Sequence, residues 1–188
     1  MLPQSRSYDD LYRRFSWQVP AQFNIGVEVC DRWAERDPRK LALVAVQADG
    51  RVLDFSYGWL RESSNRLANV LAAHGISRGD RVAILLPQSP EVAAIHVAVY
   101  KLGAVALPLA TLFGPDAIAY RLQNSGASAL VTNTQGIAKV AVDDRRGLTL
   151  LLSVDGPGEG ALGFAETLAR ASAEFTPVPT AADDPAMM

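Results

Sequence analysis

One cysteine, Cys30, is the whole thiol inventory of these 188 residues. No disulfide can form within the chain, so a disulfide framework is excluded and a reducing, cytoplasmic compartment is expected. No apolar run reaches the roughly 20 residues that span a bilayer. The longest, Val92 to Val105, is broken by His96, Lys101 and Gly103. The N-terminus lacks a basic-then-apolar layout, so no secretory signal is expected. Basic excess is also missing: 18 Lys and Arg face 20 Asp and Glu, for a formal charge of −2. A nucleic-acid surface is therefore not written into the charge balance. There is no G-x-G-x-x-G fingerprint, which removes the main support for a Rossmann oxidoreductase. The only glycine cluster, Asp155-Gly-Pro-Gly-Glu-Gly160, has no following Lys and carries two acids that would repel phosphate. It reads as a surface loop.

What is present is an ordinary globular composition, 49% hydrophobic and 20% charged, enough for one domain or one with a small appendage. Residues 1–24 carry aromatics (Tyr8, Tyr12, Phe15, Trp17, Phe23) at no fixed period. They read as an arm packed on something, not as an open helix. Val27, Cys30, Trp33 and Ala34 recur at helical spacing, with Asn24 as cap and Asp37-Pro38 as stop. Leu41–Val46 and Arg51–Phe55 read as strands joined at the Asp49-Gly50 turn. Ser56 caps a helix bearing Leu60, Ser64, Leu67, Ala68 and Leu71 on one face, with Gly75 as its stop.

From Arg81 the chain alternates. Arg81–Leu86, Ala104–Leu107, Ala127–Thr132 and Leu148–Val154 read as strands. Between and after them come helices from Pro90 (capped by Ser89) to about Leu102, Pro115–Gln123 and Phe164–Ala171. The first of these is apolar nearly all round, which predicts burial on both sides. The pattern predicts an α/β fold, a largely parallel sheet flanked by helices on both faces. Residues 25–174 would form this subdomain. A tail from 175 to 188, with three prolines and no periodicity, follows it.

Candidate chemistry is sparse. His74 stands at a helix end, where a positive charge suits the dipole. His96 and Cys30 lie on apolar helices and read as core residues rather than ligands or nucleophiles, and no metal site is expected. The pairs Asp9-Asp10, Asp143-Asp144 and Asp183-Asp184 are adjacent in sequence, and adjacent side chains point apart. Arg78-Gly79-Asp80 reads as a turn. Ala110 to Asp116 is different, because it follows a predicted parallel strand at the carboxyl end, where α/β sheets bind ligands. Phe113 is a loop aromatic suited to stacking, and Gly114 lets a backbone approach a ligand. A hydrophobic staple for the next helix is the competing reading.

Several stretches occur in one order: Phe55-Ser-Tyr-Gly-Trp-Leu60 with Ser64-Asn-Arg-Leu-Ala68, Gly75-Ile-Ser-Arg-Gly-Asp-Arg-Val82, Leu86-Pro-Gln-Ser-Pro-Glu91, Lys101-Leu-Gly-Ala-Val-Ala-Leu-Pro108, and Asp183-Asp-Pro-Ala-Met-Met188. Together they resemble the N-terminal portion of AMP-forming (adenylate-forming) acyl-CoA synthetases. The opening, with Pro20-Ala-Gln-Phe-Asn24, is most similar to the acetyl- and medium-chain branch. The resemblance implies a ligase that activates a carboxylic acid, such as a fatty acid, with ATP and Mg and passes it to CoA. It implies that the phosphate loop, the adenine motifs and the lysine domain lie beyond Met188. This stretch would then be inactive alone, hold no cofactor tightly, partner the remainder of the synthetase, and self-associate through an exposed apolar face. It further implies that Phe113, Gly114 and Lys139 line a CoA site, with Arg145 and Arg146 as the only other nearby bases. The alternative is a stand-alone, non-catalytic α/β binding module.

Overall fold

The computed structural model describes residues 4–188. Residues 1–3 of the expected arm lie outside that range. Five parallel strands form the central sheet: β3 (Arg81–Leu85), β4 (Val105–Pro108), β5 (Ala127–Thr132), β6 (Leu150–Ser153) and β7 (Leu162–Gly163), in the order β4-β3-β5-β6-β7. A separate antiparallel hairpin pairs β1 (Leu41–Val46) with β2 (Val52–Ser56). Gly50, at φ +83°, makes its turn, and Asp49 Oδ1 accepts the Arg51 N–H.

Strand periodicity separates two cores. On one face Val82, Ile84, Ala129, Val131 and Leu152 pack beneath α3 (Tyr57–Ala73), α4 (Pro90–Leu102) and α7 (Phe164–Arg170). On the other, Ala83, Leu85 and Leu130 meet Ile118 and Leu122 of α5 (Pro115–Ser125). Helix α4 is apolar on every side because it is sandwiched. Ile95, Val99 and Leu102 face the sheet. Ala94 and Val97 face a third cluster with Cys30 and Leu60, against which hairpin residues Ala42 and Leu43 pack.

The seventeen-residue α3 is capped as its sequence indicates, with Ser56 Oγ accepting the Trp59 N–H. Ser89 sits at the cap position of α4 without making the side-chain bond expected of it; Pro90 supplies the helical φ instead. The helix expected around Cys30 is split. A π-helical turn, Val27–Asp31, precedes the short α2, Arg32–Arg36, and Asn24 Oδ1 accepts the Val27 N–H. Three short elements carry too few residues to show a period: α6 (Thr134–Ile137), a 3₁₀ turn at Val142–Arg145, and β7.

The arm departs from its reading. Tyr8–Arg14 is a helix, α1, with Ser7 as cap and no buried residue. Tyr8, Leu11, Tyr12 and Phe15 follow the i, i+3, i+4, i+7 rule, which the off-period Trp17 and Phe23 mask in the sequence. The arm then returns to the body at Asn24. Its Nδ2 donates to Tyr100 O (3.0 Å), Lys101 O (3.2 Å) and Val178 O (2.9 Å). The tail is pinned too: Thr180 Oγ1 donates to Phe23 O, Arg78 Nη2 to Asp184 Oδ1 at 2.6 Å, and Met187 forms a parallel bridge to Ala106 at the outer edge of β4.

The polar centre of the fold is Lys101. Its side chain is 0% exposed, and Nζ reaches Ser64 Oγ (2.9 Å), Asn65 Oδ1 (2.6 Å) and Asp31 Oδ1 (2.6 Å). Two of its donors make hydrogen bonds, to Ser64 and Asn65, and the Asp31 carboxylate pairs with its charge. Gly26 is obligatory beside it, since a Cβ there would stand 2.7 Å from Lys101 Cγ and 2.8 Å from Val97 O. Burial pushes the neighbouring Cys30 thiol up to about 11, so the thiol stays protonated and poorly nucleophilic.

Two outcomes follow. Asp31→Ala strands a buried charge and is expected to cost about 3 kcal/mol in urea unfolding; a loss below about 1 kcal/mol would show that the cation does not depend on it. Separately, the Arg78 hydrogen bond holds the Asp184 carboxyl below its ordinary value of 3.8. A lowered carboxylate stabilises above that value and loses the effect as pH falls through the folded one. Asp184→Asn should therefore lower the urea midpoint at pH 7, and the difference from the parent chain should shrink progressively as pH falls below 3.8.

Candidate functional site

The sheet reverses direction at β3. The chain crosses by α4 to β4 on one side of β3, then by α5 to β5 on the other. Strand ends diverge at such a switch point and open a crevice at the carboxyl edge. Here a cleft of about 90 Å³ lies at that edge. Leu85 and Pro87 come from the end of β3, Thr111 from the loop after β4, and Asn133, Gln135, Gly136 and Lys139 from the segment after β5.

Its far wall is tightly specified. Asn133 Oδ1 caps α6 by accepting the Gly136 N–H at 2.9 Å. Thr132 Oγ1 donates to Leu85 O at 2.8 Å, tying β5 to β3. A Cβ on Gly136 would collide with that same Thr132 Oγ1. Asp155, from the glycine-rich loop after β6, accepts the Thr134 N–H. This loop therefore serves as a cap for α6.

The three candidate residues share this edge. Lys139 is half-buried, and its Nζ donates to Thr111 O at 2.6 Å and to Phe113 O at 3.4 Å. The amine thus reaches the loop through its backbone. The Phe113 ring does not line the cleft. It is half-buried, packs against the Leu107–Ile118–Leu122 core, and lies beneath the Arg121 guanidinium, whose carbon is 4.1 Å from the ring centroid. That distance makes a cation–π contact. Gly114 is exposed, with nothing within 4 Å of where a Cβ would stand. Arg145 is committed to backbone carbonyls, Val140 O at 2.7 Å and Glu159 O at 2.6 Å, and Arg146 to Asp143 at 2.7 Å. Arg121 was not singled out by the sequence reading. Its signal was faint: an arginine eight residues past Phe113, two turns along the helix that Phe113 precedes.

The remaining titratable candidates have structural places. His74 Nδ1 lies 2.8 Å from Val70 O at the end of α3. His96 Nδ1 is 3.1 Å from Tyr100 Oη, and burial lowers its pKa and raises that of the tyrosine. Among the described residues no three His, Cys, Asp or Glu side chains converge as a metal site, and no helix is long and apolar enough to cross a membrane.

The parallel sheet, its switch-point crevice and the sandwiching helices define an α/β ligand-binding architecture. The chain belongs to the AMP-binding enzyme family, whose profile matches residues 30–188. It is 31% identical to acetyl-coenzyme A synthetase of Bacillus subtilis over 164 residues, 82% of this chain and 29% of that protein. It is 33% identical to the mitochondrial acyl-coenzyme A synthetase ACSM4 of Rattus norvegicus over 176 residues, 89% of this chain and 30% of that protein. Among solved structures, an acyl-CoA synthetase of Brucella canis superposes with a TM-score of 0.86 at 32% identity, covering 96% of this chain and 35% of that one. The inhibitor-bound N-terminal domain of FACL13 from Mycobacterium tuberculosis gives 0.74 at 28% identity, covering 87% and 40%. The chain thus spans about three tenths of the length of these full-length relatives.

The two glycines at this edge, Gly136 in the cleft wall and Gly114 in the exposed loop, should behave oppositely. Gly136→Ala is expected to cost about 1–3 kcal/mol by overpacking, whereas Gly114→Ala should unfold within about 0.5 kcal/mol of the parent. Equal costs in chemical denaturation would contradict the cleft geometry.

Proposed function

We propose that this chain is the N-terminal part of an AMP-forming acyl-CoA synthetase acting on a small carboxylic or fatty acid in the cytoplasm. The observation that carries the reading is a family match over residues 30–188, joined to relatives about three times as long that are named acetyl- and acyl-coenzyme A synthetases. In the whole enzyme a carboxylate oxygen attacks the α-phosphorus of ATP, and pyrophosphate leaves. The CoA sulfur then attacks the acyl carbon, and AMP leaves. Mg would neutralise phosphate charge in the first step. Stabilisation of such transition states comes from preorganised charges and dipoles around the transferring group. Arg145 and Arg146 are engaged within this stretch and Lys139 keeps a single donor, which supports the view that the stretch alone is inactive and that the rest of the synthetase is its partner.

Within this reading Phe113, Gly114 and Lys139 form one wall of the CoA nucleotide site. Gly114 leaves open space for close approach. Lys139 spends two of its three donors on loop carbonyls, leaving one for a phosphate oxygen. That contact is worth about 1 kcal/mol or less at a screened position. An adenine stacked at Phe113 would gain about 1–3 kcal/mol, and it takes the place of the Arg121 guanidinium.

Carboxylate-dependent exchange of labelled pyrophosphate into ATP tests the proposal. The 188-residue chain should give no exchange above a blank. In the whole synthetase, Phe113→Ala should raise KM for CoA about tenfold and leave the exchange unchanged. Equal damage to both half-reactions would make Phe113 structural, and absence of exchange with every carboxylate in the whole enzyme would refute the ligase assignment.

A further inference from the structure

We propose that residues 171–180 form a detachable strap, a two-state element that leaves the body and returns as one unit while the sheet and its helices stay folded. The inference does not rest on the acyl-CoA reading.

The strap follows α7, next to β7 at one edge of the sheet, and leads to the bridge with β4 at the other. Over its length it is neither helix nor strand. Pro177 and Pro179 have no N–H to give, so what it offers the body is mostly carbonyl oxygen. The body answers with side chains. Arg66 Nη1 donates to Ala171 O, and Asn65 Nδ2 donates to Ala173 O at 2.8 Å. Asn69 Nδ2 donates to Ser172 O at 2.9 Å and to Glu174 O at 2.8 Å. Further along, Asn24 holds Val178 O, and Thr180 Oγ1 donates to Phe23 O. Two backbone bonds complete the attachment: Val178 N–H to Lys101 O at 2.8 Å, and Phe23 N–H to Thr180 O at 2.9 Å.

This gives the Ser64-Asn-Arg-Leu-Ala68 stretch a division of labour. Leu67 and Ala68 enter the core. Ser64 and the Asn65 oxygen hold Lys101, while the Asn65 amide and Arg66 hold the strap. Asn65 is thus the joint between a buried ion and a segment laid over it.

Three features make the strap one separable unit. No strand pairing of the five-stranded sheet includes it, so its release breaks no strand. Its apolar anchors, Ala171, Phe175 and Val178, are only partly buried at the margin of the core. The groups that part on release are carbonyls, amides and a guanidinium, all of which water satisfies. A segment with few buried apolar contacts and solvent-accessible hydrogen bonds belongs to the low-stability end of a fold. The two prolines fix φ and stiffen the chain between the anchors, so a displacement at one end is carried to the other.

Hydrogen exchange of the full-length protein, read by mass spectrometry of short overlapping peptides, tests this. The amides of Phe23, Glu174 and Val178 should share one protection factor, lower than that of β3 and β5. Asn69→Ala removes two bonds at the start of the strap. It should speed exchange about tenfold, and by the same factor at the distant Val178 and Phe23 as at Glu174. Thr180→Val keeps the side-chain shape and removes the hydroxyl at the other end. It should speed Glu174 as much as Val178. Exchange in β3 and β5 should not change in either variant. Acceleration confined to the half next to each substitution overturns the proposal, because the anchors then act independently. So does no acceleration in either variant. Equal acceleration in β3 and β5 overturns it as well, since the strap would then open only with the whole fold.

Discussion

The fold turns on one ammonium ion. Removing a cation from water costs several kcal/mol, and only acceptors fixed in space repay it. Lys101 finds its three on two elements other than its own: Asp31 at the end of the π-helical turn, and Ser64 and Asn65 in the middle of α3. Apolar packing between α3 and α4 would tolerate a slide of part of a turn. A buried charge with three assigned partners does not, because any slide leaves it unpaired. The π-helical turn has a local explanation in the same contact, since it ends on Asp31, and Gly26 at its start lets the backbone close over the lysine stem. Asn65 joins the network outward, its Nδ2 holding Ala173 O at 2.8 Å. Register set at the lysine therefore passes through α3 to the segment that follows α7.

At the carboxyl edge the positive groups act within the protein. Arg145 gathers the carbonyls at the end of the α6 turn, Lys139 gathers those of the loop after β4, and Arg121 covers an aromatic ring. Each stabilises a loop that carries little secondary structure of its own. An anionic ligand arriving here meets a preassembled scaffold, and binding it requires a spare donor or the exchange of one bond for another. Here the walls are set and most of the nearby cationic donors are already engaged.

The alternation of strands and helices from Arg81 onward was legible because both periods are clean: Val82 and Ile84 on one face, Ala83 and Leu85 on the other, and an α4 with no polar stripe. That Gly114 sits in a loop at the carboxyl edge of the sheet was legible from its place after a predicted strand. The Lys101 network was not, because its partners lie 36, 37 and 70 residues from the lysine and each is individually ordinary. Lys101 read merely as an interruption of an apolar run, and Ser64 as one more residue on a helix face. The helical period of Tyr8, Leu11, Tyr12 and Phe15 was hidden by aromatics that follow it out of phase. The setting of the Phe113 ring was not legible, for a different reason. A loop aromatic is free in sequence, but the helix it introduces brings Arg121 over it, and only the folded geometry shows which side of the loop the ring occupies.

The three-carbonyl grip of Asn24 has a consequence in time. It joins residue 24 to Val178, 154 positions later. A ribosome adding about 5–20 residues per second needs on the order of ten seconds to make that stretch, and through all of it the amide has water instead of its final acceptor. The arm is made well before the segment that fastens it. Cys30 and the β1–β2 hairpin, by contrast, have their apolar partners once Val97 is made. Slowing translation before Val178 lengthens the time the Asn24 amide spends in water without altering a single contact in the finished fold.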